Sequence, residues 1–495
     1  MATADTPSQT QLRENIRTDV CIIGAGIAGL TTAYMLAGEG RSVVVLDDGQ
    51  IGGGMTGRTT AHLSNAFDDR YLEIEKLHGL EGSRLTAASH TAAIDKVEEI
   101  IRTENIECEF ERLDGYLFAA LPDTDQLLND ELTAANRAGL ADVEIVERAP
   151  IDSFETGPAL RFPRQAQFHP LAYLNGLTDA IRRNGGRLFG QTHASVIEGG
   201  ANAHVETSHG PVVTCEVIVV ATNTPVNDRV AIHTKQSPYV TYVIGAPVPK
   251  GSVTRALYWD TIDPYHYVRL QSDKNDKDRD VLIVGGEDHK TGQADDCADR
   301  YKRLEQWTRE RFPQIGEVEF RWSGQVMEPV DYLAFIGRNP LDSDNVFIAT
   351  GDSGQGMTHG TIAGMLLSDL IQGRKNRWED LYSPSRVTLS ALPAYAGENI
   401  NVAGQFADYV TAGDIKSVDE LKPGQGAIMR DGLSKMAVYR DDEGEVHKRS
   451  AVCPHLGCVV AWNSCEKTWD CPCHGSRFTA AGRVYHGPAN TDLPD

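Results

Sequence analysis

Two short segments near the end of the chain carry a dense set of metal-ligating residues. Cys453-Pro454-His455-Leu456-Gly457-Cys458 is followed by Cys471-Pro472-Cys473-His474-Gly475-Ser476. The pattern is C-x-H, 15 intervening residues, then C-x-x-H, with one further cysteine in each box. Five of the nine cysteines fall in the 21 positions from 453 to 473, whereas Cys21, Cys108, Cys215 and Cys297 are scattered. Scattered cysteines are ordinarily small buried hydrophobes. A cluster beside histidines reads as a metal site before it reads as a disulfide framework. Two thiolates and two imidazoles suit a tetrahedral zinc ion. They also suit a [2Fe–2S] cluster in which two histidines replace two cysteines on one iron.

A second constellation lies near the start. Gly24-Ala25-Gly26-Ile27-Ala28-Gly29 fits G-x-G-x-x-G between an apolar run, Val20–Ile23, and a stretch of helical spacing from Leu30 to Ala37. Gly24 permits the tight turn, Gly26 lets the backbone approach a pyrophosphate, and Gly29 lets helix and strand pack closely. The helix start then offers free N–H groups and a positive dipole end to phosphate. Asp47 ends a second apolar run, 42–46, and stands 18 residues after Gly29, placed to accept from a ribose diol. The motif does not choose between FAD and NAD. No second G-x-G-x-x-G follows a strand, which disfavours a reductase with its own NAD(P)H domain.

The elements that must hold these residues follow from periodicity. Strand, glycine turn, helix and strand over residues 19–46 make a βαβ opening and imply a parallel sheet. Residues 90–103 have helical spacing, Val217 to Ala221 is another buried run, and residues 345–349 form a strand before a glycine-rich turn and a helix from about 358 to 371. Residues 376–405, with Pro384 and Pro393 and no long periodic run, read as a linker. From 406 onward short strands with turns at Asp431-Gly432 and 441–444 indicate a small all-β domain. Residues 1–17 are polar, are expected to be flexible, and carry no secretory apolar core. No stretch approaches 18 apolar residues, so no membrane span and a cytoplasmic location are expected. The 495 residues allow about three folding units. A formal net charge of −23 argues against a nucleic-acid partner.

The complete C-terminal pattern, including Leu456-Gly457-Cys458 and Gly475-Ser476, resembles Rieske proteins over residues 406–495. The resemblance implies a [2Fe–2S] cluster with Cys453 and Cys471 on one iron and His455 and His474 on the other. It further implies a disulfide between Cys458 and Cys473. Cys465 matches no ligand position and is expected to be a bystander. In that family the Ser476 hydroxyl donates to a bridging sulfide and raises the potential. Respiratory members carry a tyrosine where Phe478 stands, so an intermediate potential is expected. An oxygenase would need a separate iron held by two histidines and a carboxylate. No D/E-x-x-H-x-x-x-x-H pattern occurs upstream, and the chain runs only 21 residues beyond His474.

Residues 52–62 (Gly-Gly-Gly-Met-Thr-Gly-Arg-Thr-Thr-Ala-His), residues 349–358 (Ala-Thr-Gly-Asp-Ser-Gly-Gln-Gly-Met-Thr) and residues 219–223 resemble the D-amino-acid oxidase family of flavoproteins. That family includes glycine oxidase and sarcosine oxidase. The resemblance implies an α/β fold, with a Rossmann-like FAD-binding domain and an interleaved mixed or antiparallel substrate domain over 18–375. It implies FAD held by Gly24, Ala25, Gly26, Ile27, Gly29, Asp47, Arg58, Thr59, Thr60, His62, Gly351, Gly354, Gly356, Met357 and Thr358. In the family the late turn aims a helix start at the flavin ring, where the dipole stabilises reduced flavin.

Substrate-side candidates come from the middle of the chain. Tyr265, Tyr267 and Arg269 alternate onto one strand face, where the arginine would clamp a carboxylate. Lys235 and His359 are candidates for groups over the flavin. The expected activity is oxidation of an amine or amino-acid-like substrate by hydride transfer to FAD. Electrons then pass singly through the cluster to an acceptor such as a ferredoxin-like protein. A hydroxy-acid dehydrogenase, a reductase fed by ferredoxin, and a non-catalytic electron-transfer subunit stay open.

Overall fold

The computed structural model describes residues 9–119, 125–227, 230–409 and 411–495. Strands Val20–Ile23 and Val43–Leu46 are buried on both faces, as a parallel sheet covered on both sides requires. Val20, Ile22, Val43 and Val45 pack with Leu30 and Ala33 of helix Ile27–Gly38. The alternate residues Cys21, Ile23, Val44 and Leu46 pack with Val205 and Val213 of a small sheet on the other face. Across this main sheet the order is Phe335–Arg338, Val346–Thr350, Val217–Val220, Val20–Ile23, Val43–Leu46, Arg187–Phe189. Strand Phe335–Arg338 is antiparallel to its neighbour and the other pairings are parallel.

The interleaved part is a large mixed sheet centred on the antiparallel strands Gln236–Pro249, Arg279–Lys290 and Phe320–Pro329. Its strand Tyr267–Ser272 and the two-residue strand His62–Leu63 bring the Tyr267 and His62 rings within 5.5 Å of each other. Helix Gly356–Ile371 crosses helix Ile27–Gly38 at very short range. A Cβ on Gly360 would stand 2.5 Å from Ile27 Cγ2, and one on Gly364 would stand 2.4 Å from Thr31 Cγ2. These glycines bring the starts of the two helices to one place.

The terminal domain is β-rich, with a hairpin sheet Gln425–Asp431, Ser434–Arg440, Val446–Ser450 and a second sheet of four short strands over Ala461–His486. The expected turn at Asp431-Gly432 is a two-residue hairpin loop, since Asp431 pairs with Ser434 and Gly432 takes φ +60°.

Three expectations are corrected. Residues 1–8 lie outside the described residues, but 9–17 are fastened: Leu12 is buried, its N–H donates to Thr192 Oγ1, and Ile16–Arg17 pairs with Val213–Thr214. The stretch 376–405 contains helices Glu379–Tyr382 and Leu392–Gln405. The second helix buries none of its residues, so it shows no apolar stripe to read. Its Glu398 takes hydrogen bonds from Ser237 and Lys290, which ties the connection to the first domain. Cys465 is no bystander, and Cys297 no isolated hydrophobe: the two form a disulfide with Cα atoms 6.3 Å apart, joining helix Cys297–Arg311 to the terminal domain. Cys21, Cys108 and Cys215 are buried and unbridged.

Candidate functional site

One cavity of about 1150 Å³ runs from the Gly24–Gly26 turn to the Gly351–Gly356 turn. Its glycines are forced by neighbouring backbone. Gly24 has φ +103°, and a Cβ there would meet Ala221 O at 2.3 Å; a Cβ on Gly29 would meet Gly24 O at 2.0 Å. On Gly26 the same atom would meet only Thr56 Oγ1, at 3.0 Å, so that backbone is open to the cavity. Neither helix start at this cavity has an acidic residue in its first turn or a side-chain cap; the start at Ile27 keeps its positive end open, whereas Asp352 Oδ2 stands 2.8 Å from where a Gly356 Cβ would be. Asp47, at the end of its strand, accepts from the N–H groups of Ala25 and Gly49 at 2.7 and 2.8 Å. An open glycine turn, two uncapped helix starts and an acid at the strand end fit a dinucleotide.

Gly24, Ala25, Gly26, Ile27, Asp47, Arg58, Thr59, Thr60, His62, Gly351, Gly354, Gly356 and Met357 all line this cavity. Gly29 and Thr358 do not. Gly29 serves helix–strand contact, and the Thr358 hydroxyl donates to Gln355 O at the helix start. Tyr265, Tyr267 and His359 also line it. His62 stands edge-on to Tyr267, and burial pushes its pKa down to about 3, so it is neutral. His359 is held by Asp352 O through Nδ1 and by His90 through Nε2, and burial lowers its pKa to about 4.

Two candidates are corrected. Arg269 does not line the cavity: it is fully buried, donating to Gln167 Oε1 at 3.2 Å and Gln271 Oε1 at 3.1 Å. Gln167 is the strand partner of His62, so His62 and Tyr267 occupy the cavity side of this layer. Lys235 is also off the cavity; its Nζ donates to Pro384 O and Arg386 O, both at 2.9 Å. Strand alternation gave the correct face for Tyr267 but not the depth at which Arg269 is sealed.

The cysteine–histidine boxes form two loops tied by a Cys458–Cys473 disulfide. Cys453 and Cys471 are buried and unbridged, and the His455 and His474 rings lie 5.0 Å apart. A hydrogen bond from Cys471, then N–H groups of His455 and Leu456 and the Ser476 hydroxyl, favour the Cys453 thiolate against its burial. His474 Nδ1 is buried without a hydrogen-bond partner among the described residues. Two buried thiols and two adjacent imidazoles on paired loops fit the ligand set of a Rieske cluster.

The comparisons with known proteins agree with both sites. The model of the DAO family, FAD dependent oxidoreductases, matches residues 19–370, and that of the Rieske [2Fe-2S] domain matches 412–495. The chain belongs to the DAO family of FAD-dependent oxidoreductases. YhfW of Bacillus subtilis, named a Rieske 2Fe-2S iron-sulfur protein, is 32% identical over 98% of this chain and 94% of its own length. Gamma-glutamylputrescine oxidoreductase of Escherichia coli is 29% identical over 74% of this chain and 87% of its own. The solved structure of L-proline dehydrogenase from P. horikoshii covers 75% of this chain and 98% of its own with a TM-score of 0.61 at 17% identity, a likeness of fold. The protein is thus an oxidoreductase whose cofactors are FAD and a Rieske [2Fe–2S] cluster.

Two features of the site had no sequence signal. The first is acidic. Around the Gly351–Gly356 turn the cavity is lined by Asp68, Asp69, Glu73, Asp263, Asp288, Glu328 and Asp352, with Arg70 as the cation among them. Tyr265 and Gln355 donate to Asp68, and Ser353 donates to Asp69 and Glu328. Burial raises Asp68 and Asp352 to about 6. Burial, then the neighbouring Asp68 charge, raises Asp69 and Asp288 to about 7. Burial and Asp69 push Glu328 well up.

The second is the contact between the domains. His233, buried in the oxidoreductase domain, has its ring 4.7 Å from that of His455 and 5.9 Å from that of His474. Gln325, which lines the FAD cavity, donates to Gly475 O at 3.0 Å. Gly475 has φ +79°, and Pro238 lies where its Cβ would be, at 2.5 Å. The glycine beside His474 is therefore required by the interface. Gly475 was legible as a motif residue, but its neighbours from residues 233–325 were not.

Among the described residues no helix is long and apolar enough to cross a membrane.

Proposed function

We propose that the protein oxidises a cationic amine at its CH–NH bond and delivers the electrons singly through the Rieske cluster to an external one-electron acceptor. The observation that carries this reading is the carboxylate lining next to the late glycine turn, with Arg269 sealed away from it. A lining of that sign attracts an ammonium group and repels the carboxylate of a hydroxy acid. Bound FAD supplies a two-electron acceptor and the cluster a one-electron carrier. The relative named for gamma-glutamylputrescine, itself an amine, supports the same class.

The chain's part in the reaction is placement and proton handling. The substrate enters as its ammonium form and must lose a proton before its carbon can give up hydride. Asp69 and Asp288, both at about 7, are poised to accept that proton near neutrality. Tyr265 and Tyr267 wall the cavity beside them. The C–H bond breaks with its electron pair, the C=N bond forms, and water then converts the imine to carbonyl and amine. His233 against the ligand imidazoles and Gln325 against Gly475 give the electrons a short packed route between the domains. The acceptor, expected to be ferredoxin-like, and a cytoplasmic location belong to the same proposal.

The test is an anaerobic titration with alkylamines, diamines, N-methyl amino acids and hydroxy acids, reading flavin and cluster absorbance together. The expected result is bleaching of both by a di- or monoamine and by no hydroxy acid. Reduction only by a hydroxy acid, or only by reduced ferredoxin, overturns the proposal.

A further inference from the structure

We infer that the FAD site is built by both domains: the Rieske segment from Tyr485 to Asn490 closes the adenosine–pyrophosphate half of the cavity and takes part in holding FAD. Tyr485, His486, Ala489 and Asn490 line the same cavity as the glycine loop. Three of them are fastened to oxidoreductase residues that also line it. Arg58 donates to the Tyr485 hydroxyl at 2.6 Å, Asn223 Nδ2 meets His486 Nε2 at 3.2 Å, and Asn490 Nδ2 donates to Ala194 O at 2.9 Å. His193 adds a contact to Asn490 O at 3.1 Å.

These anchors mark the nucleotide end. Ala194 follows Thr192, whose N–H donates to Asp47 O, the strand end expected at the ribose. Asn223 follows Ala221, the residue pressed against Gly24 in the phosphate turn. The acidic substrate end lies around Gly351–Gly356, at the other glycine turn. Burial lowers His486 to about 4, so it meets the nucleotide as a neutral imidazole. Arg58, held by Glu466, and the exposed Arg483 put one cation from each domain on this wall, as a pyrophosphate would require.

The same segment touches the cluster loop. Ala489 N–H donates to Ser476 Oγ at 2.9 Å, and the Ser476 hydroxyl faces the Cys453 thiol. One residue thus links the flavin wall to the metal centre.

The test uses the full-length holoprotein. His486→Ala/Asn490→Ala is diluted, and released FAD is followed by its fluorescence, with the cluster's EPR spectrum recorded on the same sample. The expected result is about 10-fold faster or more extensive FAD release from two lost hydrogen bonds, with the cluster still loaded. Wild-type retention of FAD with an intact cluster overturns the inference. Should the variant lose its cluster or fold, hydrogen exchange of residues 484–490 in the wild-type chain, with FAD bound and after its removal, decides. Protection by FAD is expected, and exchange insensitive to FAD overturns it. Neither measurement involves an amine, so the outcome is independent of the substrate proposal.

Discussion

The two ends of the FAD cavity are built on opposite plans. The nucleotide end uses backbone: an open glycine turn, the start of helix Ile27–Gly38 with no acid in its first turn, and the Asp47 carboxylate held by two N–H groups. The substrate end uses side chains: clustered carboxylates whose burial lifts four of them to between about 6 and about 7. Backbone recognition is tied to local sequence, because a glycine turn must be contiguous. Side-chain recognition draws on residues from 68 to 352 and exists only once the chain is folded. The first plan fixes a cofactor shared by a family; the second is free to vary with the substrate.

The largest expected effect separates the two plans from the metal centre. His474→Ala removes a ligand imidazole, and the Rieske EPR signal is expected to vanish while amines still bleach the flavin. Loss of flavin reduction as well would tie substrate chemistry to the cluster and break the division. Next is the charge of the substrate end. Asp68→Asn is expected to raise KM for the amine about 10- to 100-fold, the equivalent of one charge-assisted hydrogen bond of about 1.5–3 kcal/mol. Its melting temperature should change little, since removal of a buried charge offsets loss of one acceptor, toward Tyr265 or Gln355, that the amide nitrogen cannot replace. An unchanged KM with the best amine would leave the carboxylates as structural acids.

pH sharpens the same contrast. The carboxyl groups of Asp69 and Asp288 titrate near 7, and those of Asp68 and Asp352 near 6. As pH falls through that window the lining loses negative charge, so KM for a cationic amine is expected to rise as pH drops from about 7.5 to about 5.5. FAD retention should change far less over the same range: the glycine-turn N–H groups do not titrate, and the group at that end that does, His193 beside Asp48 with its pKa held above the ordinary value, touches the wall only through the Asn490 carbonyl. Steady-state kinetics beside flavin release measurements check both, and parallel profiles would dissolve the distinction between the ends.

What was legible in the sequence follows this division. The phosphate turn, the late glycine turn and both cysteine–histidine boxes are contiguous, and each residue type there is demanded by backbone geometry or coordination. Their spacing therefore survives as a pattern. Asp288 and Glu328, 40 residues apart, sit on strands to either side of Gln236–Pro249 and reach one cavity only through the antiparallel register of the large sheet. Cys297 and Cys465 are 168 positions apart and had no partner in either motif. His233 sits between the strands Val217–Val220 and Gln236–Pro249, in a stretch without periodicity, and its role depends on a domain that follows much later. The helix Leu392–Gln405 escaped because it shows no buried face.

The smallest expected effects concern the two cations expected at the site, Arg269 from strand alternation and Lys235 as a group over the flavin. Arg269 and Lys235 spend their donors on the protein itself: on Gln167 and Gln271 in one case, and on the carbonyls of Pro384 and Arg386 in the other. Lys235→Met leaves two partly buried carbonyls without their donor, which costs about 1–3 kcal/mol of stability. It should leave KM for amines and kcat with an artificial one-electron acceptor within about twofold. A lysine acting over the flavin would give the reverse: unchanged thermal stability and a steep loss of turnover. Thermal unfolding and steady-state kinetics on one preparation therefore distinguish a clasp on the connecting segment from a member of the substrate end, and only the second result would move Lys235 back into the cavity's chemistry.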